Sequence, residues 1–153
     1  MKQKPPVIPN RKTILYTENH TWVRVIDNAT VTAGLTQHGR DLILKSSGSH
    51  LGVTYIHTEP TGTELKRMEP FGLVETMTTT FRLASPITGK IEEVNKKILW
   101  EQYMLNDDPI LHRNPEETWI VKIKPTNLDK EIPLLLTPEQ YRELLAKSRQ
   151  PPS

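Results

Sequence analysis

The chain of 153 residues contains no cysteine, which excludes disulfides, thiolate metal ligation and a cysteine nucleophile. It is compatible with a reducing cytoplasm. Aromatic residues are scarce at 6% and apolar residues reach only 35%, so a core of modest size is expected. No apolar run approaches the roughly 20 residues that cross a bilayer. The N-terminus has neither the apolar stretch of a secretory signal nor the Arg- and Ser-rich character of a transit peptide. Net charge is only +2, with 20 basic residues dispersed among 18 acids, which argues against a nucleic-acid partner. A soluble, cytoplasmic protein without a membrane partner is the expectation.

Catalytic patterns are missing as well. Gly48, Gly52 and Gly62 make no phosphate-cradling loop. Ser46, Ser47 and Ser85 lack a nucleophile-elbow context. Glu92 and Glu93 adjoin on a presumed strand, so their side chains diverge and make no acid/base pair. The histidines (His20, His38, His50, His57, His112) do not have the tight ligand spacing of a zinc site, and no metal is expected. The chain does not read as an enzyme.

Proline is plentiful, at 13 residues, and turn signals punctuate the chain. Residues 1–13 read as a flexible lead whose charges (Lys2, Lys4, Arg11, Lys12) are interrupted by Pro5, Pro6 and Pro9. Tyr16 to Ile26 reads as extended, Asp27-Asn28 as a tight turn and Ala29 to Leu35 as a returning strand. Thr36 is placed to cap a helix over Gln37 to Leu44, and Lys45 to His50 follows as a polar segment. Val53 to Thr58 predicts a strand and Glu59 to Thr63 a turn. Lys90 to Asn95 predicts a strand with Ile91 and Val94 on opposite faces. Ile98 to Leu105 suits a buried helical turn that Asn106 to Pro109 ends.

Trp119 to Lys124 has the strongest strand signal, stopped by Pro125. Thr137, Pro138 and Gln140 open a helix with a capping box and proline at its first position, and Tyr141, Leu144 and Leu145 form its apolar stripe. One domain over residues 14–147 and a fraying tail over 148–153 are expected. Many short strands followed by a terminal helix predict a mainly β protein, a sandwich or barrel with helical additions.

The centre of this pattern is Phe71 to Lys90, two strands meeting at a polar tip and a return strand led by Gly89. With its surroundings it resembles the glycine cleavage system H protein family. Tyr16-Thr17, His20 and Trp22-Val23 look like the opening of that family, and Gly34 to His38 is similar to its glycine-hydrophobic-Thr-Asp-His segment. Pro70 to Glu75 resembles the approach to the family's lipoyl hairpin, and Ser85 to Gly89 with Val94-Asn95 its return strand. Asn106 to Pro109, Trp119 and Ile123 to Pro125 follow in the family's order. Each motif is weak alone, but they are collinear from about Tyr16 to Leu145.

The resemblance implies a lipoyl/biotinyl-type hammerhead β-sandwich (a barrel-sandwich hybrid) with short helices and a C-terminal helix. It also implies a carrier role. An H protein holds a lipoyl group on a lysine at the hairpin tip, receives an aminomethyl group from the P protein, presents it to the T protein and is reoxidised by the L protein. A rotatable arm on a rigid tip keeps the reactive group at high effective concentration near each partner.

Three departures qualify that role. The family pattern Glu-Ser-Val-Lys-Ala becomes Glu75-Thr76-Met77-Thr78-Thr79, so the lipoyl-attachment position is Thr78, and no lysine lies between Lys66 and Lys90. A hydroxyl cannot form the lipoyl amide, so no lipoate or other cofactor is expected. Where the family has a glutamate between histidine and tryptophan, in the cleft that shelters the loaded arm, this chain has Thr21 between His20 and Trp22. Leu44 to His50 reads as an insertion of about seven residues, which a surface loop tolerates.

The expectation is a non-lipoylated paralogue acting as a binding or regulatory module. Its partners would be the glycine cleavage P, T or L proteins or a lipoate ligase or transferase. The alternatives are a working carrier modified at another residue such as Lys66 or Lys90, and an adaptor in another lipoate- or sulfur-handling pathway.

Overall fold

The computed structural model describes residues 13–27, 29–46, 53–97 and 118–148. Short β-branched segments alternate with turns over most of this length, and they pair as nine strands in two antiparallel sheets. The larger sheet holds β1 (Ile14–Tyr16), β2 (Thr21–Asp27), β3 (Thr30–Leu35), β9 (Val121–Pro125), β8 (Gly89–Val94) and β5 (Glu64–Leu65), in that spatial order. The smaller holds β4 (Val53–Thr58), β6 (Pro70–Thr76) and β7 (Thr80–Ala84).

Side chains on a strand alternate between faces, and the registers align one apolar set across the larger sheet. Val31 pairs with Val25 and Ile123, and Ala33 with Val23 and Val121. Ile91 pairs with Ile123 on the next strand. On the smaller sheet Ile56, Val74 and Phe81 form one rung. Both apolar faces belong to one cluster with Phe71, Leu83 and Ile87. This is the expected mainly β, lipoyl-type sandwich.

The hairpin β6–β7 is fixed to that core by two local devices. The register shifts between Pro70 and Gly72, so Phe71 sits in a bulge and is fully buried; a bulge re-aims one side chain in this way. Gly72 then passes so close to β4 that a Cβ would overlap the His57 carbonyl oxygen. Only glycine allows that approach.

Three helices complete the described fold: α1 (Gln37–Ser46), α2 (Leu128–Glu131), continued by a 3-10 turn over Ile132–Leu134, and α3 (Pro138–Ser148). The Gly39 N–H donates to Thr36 Oγ1 at 3.0 Å, the cap expected for α1. At α3 the capping box forms as expected. The Gln140 N–H donates to Thr137 Oγ1 at 3.2 Å and the Thr137 N–H to Gln140 Oε1 at 2.9 Å. Thr137→Ala should therefore cost about 1 kcal/mol, read as a lowered midpoint in urea unfolding.

Several sequence expectations need correction. Tyr16 to Ile26 is two strands, because the chain reverses between them. The His20 N–H donates to the Thr17 carbonyl, and His20 adopts a left-handed φ of 69°. Helix α1 continues through Lys45 and Ser46, and α3 runs to Ser148. The last strand begins at Val121 and includes Pro125, which pairs with Gly89 at the ladder's end.

A register shift between Ile91 and Glu93 breaks the alternation of β8, so Val94 packs against the core that Ile91 enters. Glu93 is held by Lys122 at 3.2 Å. The sequence reading contained neither β5 nor α2. Asp27 Oδ1 accepts from the Ala29 N–H at 2.7 Å, as a tight turn requires, while Asn28 lies outside the described residues. So do 1–12, 47–52, 98–117 and 149–153, with the expected lead, most of the 44–50 insertion and the helical turn at 98–105. No helix among the described residues is long and apolar enough to cross a membrane.

Candidate functional site

The hairpin tip is built by threonines. Glu75 and Thr80 form the last paired rung, and the Thr76 N–H donates to the Thr79 carbonyl at 2.8 Å. The buried Thr76 hydroxyl accepts from the Thr79 N–H at 3.1 Å and lies 3.3 Å from the Thr78 N. A side-chain oxygen serving nearby backbone donors holds a turn without strand pairing. Met77 projects at the apex, 66% exposed, beside exposed Thr78. Glu75 and Thr79 are half-buried at the flanks. The residues predicted for the tip are thus gathered in one turn that displays Met77 and Thr78 to solvent.

The second predicted group, His20, Thr21 and Trp22, sits at the entry to β2. Thr21 is fully buried. Its hydroxyl donates to the Ala84 carbonyl at 2.8 Å and lies 2.7 Å from Thr17 Oγ1. Trp22 is also buried, lying over Gly34 so that a Cβ there would stand 2.7 Å from the indole. Thr21 therefore faces inward and fastens β2 to the base of the hairpin, while Trp22 is buried on the other face of β2 against Gly34.

Ala84 ends β7, four residues from Thr80 at the edge of the tip, which at about 3.3 Å per residue separates the two groups by roughly 13 Å. The sequence groups are not one site. They occupy opposite ends of one hairpin.

His20 heads a polar and aromatic cluster that the sequence reading did not assemble. Its Nδ1 lies 2.9 Å from the Tyr141 hydroxyl, which lies 2.8 Å from Thr36 Oγ1. The His38 ring stands 4.7 Å from that of His20, and Tyr16 stacks on Tyr141 at 4.4 Å. Tyr141 appears in the sequence as one member of an apolar stripe, so its hydroxyl partners, His20 in the turn before β2 and Thr36 at the cap of α1, had no local signal.

Burial, and secondarily the neighbouring His38, lowers the His20 pKa from its ordinary 6.5. Burial raises the Tyr16 and Tyr141 pKa values above 10.0. The fold thus favours neutral His20. Stability is full above the free-imidazole pKa and falls as pH drops through 6.5 toward the lower folded value. His20→Asn, which keeps a residue tolerant of positive φ, should flatten the decline of the urea midpoint between about pH 7.5 and pH 5.5.

Among the described residues, no three His, Asp or Glu side chains gather as a metal site. The chemistry available at the tip is that of an exposed hydroxyl and a thioether.

Comparison with known proteins gives a consistent result. The family described as "Glycine cleavage H-protein" matches residues 14–148. A glycine cleavage system H protein of Geobacillus sp. (strain WCH70) is 35% identical over 137 residues, covering 88% of this chain and 94% of that protein. A probable glycine cleavage system H protein of Pyrococcus abyssi is 30% identical over 132 residues, covering 86% and 89%. The crystal structure of a glycine cleavage system H protein from Mycobacterium marinum superposes with a TM-score of 0.66. It is 22% identical and covers 91% of this chain and 99% of that one.

Proposed function

The chain belongs to the glycine cleavage H-protein family, and from that premise we propose that it is a non-lipoylated member acting as a binding or regulatory module. The observation that carries this reading is Thr78. It is exposed at the hairpin tip, in a stretch without a lysine between Lys66 and Lys90. A lipoyl amide requires a primary amine, and a hydroxyl does not supply one.

Thr21 supports the reading from the other end of the hairpin. Its hydroxyl is turned inward to Ala84 and Thr17, so the position offers no carboxylate to a cationic cargo. The hairpin that would present an arm is nonetheless well anchored by Phe71 and Gly72. A scaffold kept without its reactive group suits docking rather than transfer. Its partners are then proteins that handle the lipoylated family members: the glycine cleavage P, T or L proteins, or a lipoate ligase or transferase, in the cytoplasm.

The test is intact-mass measurement after incubation of the full chain with a lipoate ligase, ATP and lipoate, beside a lysine-bearing H protein. The mass of this chain is expected to stay unchanged. Addition of one lipoyl group would overturn the reading. Exposed Lys66 and Lys90 are the residues at which peptide mapping would then support a working carrier.

A further inference from the structure

Helix α3 buries one side chain among those described. Tyr141 is 6% exposed, Leu144 and Leu145 are half-buried, and most of the others face solvent. The chain enters the helix from a fixed point, where the Tyr16 N–H donates to the Leu136 carbonyl at 2.9 Å and the Leu136 N–H to the Tyr16 carbonyl at 2.8 Å. These are backbone bonds that do not titrate. None of Tyr16, His20, Thr36 or Tyr141 belongs to the apolar cluster that joins the sheets, and an element with so little buried surface can open by itself.

A line of hydrogen bonds runs through the Tyr141 hydroxyl. The Gly39 N–H, an obligate donor, reaches Thr36 Oγ1 at 3.0 Å. Thr36 Oγ1 lies 2.8 Å from the Tyr141 hydroxyl, and that hydroxyl lies 2.9 Å from His20 Nδ1. With His20 neutral and Nδ1 bare, every proton finds an acceptor: Gly39 donates to Thr36, the Thr36 O–H to Tyr141, and the Tyr141 O–H to Nδ1. Protonation makes Nδ1 a second obligate donor. Two hydroxyls then stand between two donors, and one hydroxyl proton has no acceptor in the line. Thr36 and Tyr141 are each 6% exposed, so that loss is costly.

The groups packed against His20 do not offset it. His38 on α1 stands 4.7 Å away, ring to ring, and repels a second cation. Tyr141 on α3 meets the imidazole edge-on at 5.9 Å, and Tyr16 on β1 stacks behind it, under the charge of Arg142. Glu18, on the same turn as His20, is exposed. Burial and His38 accordingly lower the His20 pKa from 6.5.

We propose that Tyr141 is an acid-released latch: protonation of His20 lets α3 swing away about Leu136 while both sheets stay folded, baring Tyr16 and His20. The device does not depend on whether the hairpin tip is modified.

The test is amide hydrogen exchange of the full chain, with and without about 1 M urea, at about pH 7.5 and pH 5.5. Each rate is divided by the intrinsic rate at that pH. An imidazole freed by opening is roughly ten parts charged to one neutral at about pH 5.5, so opening of α3 should rise by up to about tenfold. Urea should hardly change it, because little surface is exposed, whereas exchange in β3 and β9 should accelerate. His20→Asn should cut the pH response of α3 below about twofold. Tyr141→Phe, which keeps the ring but removes the hydroxyl, should open α3 further at about pH 7.5 and also shrink the response. Exchange in β3 and β9 reports the fold of each variant, so either suffices if the other disturbs it. A urea dependence of α3 equal to that of β3, a parent response below about twofold, or folded variants that keep the full response would overturn the proposal.

Discussion

Thr78→Lys is expected to convert this chain from one that a lipoate ligase leaves unmodified into one that gains a single lipoyl group. The substitution introduces only what the tip lacks, a primary amine on an exposed side chain. Thr78 is exposed, and among the described residues the non-glycine ones with positive φ are His20 and Met68, so lysine meets no backbone strain at the position. The Thr76 hydroxyl and backbone contacts that shape the turn survive the change, while the 3.3 Å contact of Thr78 Oγ1 with Thr79 Oγ1 is lost.

Thr79→Lys is the register control. Thr79 is half-buried and its carbonyl closes the turn to the Thr76 N–H. A lysine displaced by one residue should be modified about tenfold more slowly or not at all, because reactive groups tolerate little misplacement. Intact mass at fixed times reads both rates. A folded Thr78→Lys variant that gains no mass would show that Thr78 does not occupy the attachment position.

Phe71→Ala should have the largest effect on stability, a loss of about 3–5 kcal/mol. The ring is fully buried at the bulge of β6, within the cluster shared by both sheets. Removing it leaves a cavity where the hairpin meets the larger sheet. Against a total stability of about 5–15 kcal/mol, that is a large share, and Tm should fall by roughly 10 °C. Calorimetry of the variant checks it. A fall of only about 2 °C would mean that the hairpin base can close around the missing ring.

The sequence by itself carried the architecture, because its signals are local. β-branched alternation marks β3, β4 and β6, and the Thr137-Pro138-Gln140 box marks α3, since each rests on neighbours within a few positions. The family order from Tyr16 to Leu145 was readable for the same reason, as was the threonine at the tip. Boundaries failed where a single dihedral or register decided them. A positive φ at His20 splits the first strand, and a shift at Glu92 moves Val94 onto the core side.

Only the tertiary structure decided which side chains share a site. The resemblance grouped His20 with Thr21 and Trp22 as the cleft of the loaded arm. Folding turns Thr21 toward the hairpin base, lays Trp22 over Gly34 on the other face of β2, and joins His20 to Tyr141, a residue 121 positions away. Strand pairing likewise draws Ile14, Arg24, Thr32, Lys122 and Glu93 from separate segments into one rung. The physical reason is that strand pairing joins distant segments through backbone hydrogen bonds, which are common to all residue types. The register that places Thr32 between Arg24 and Lys122 is set by the packing of the opposite, apolar face.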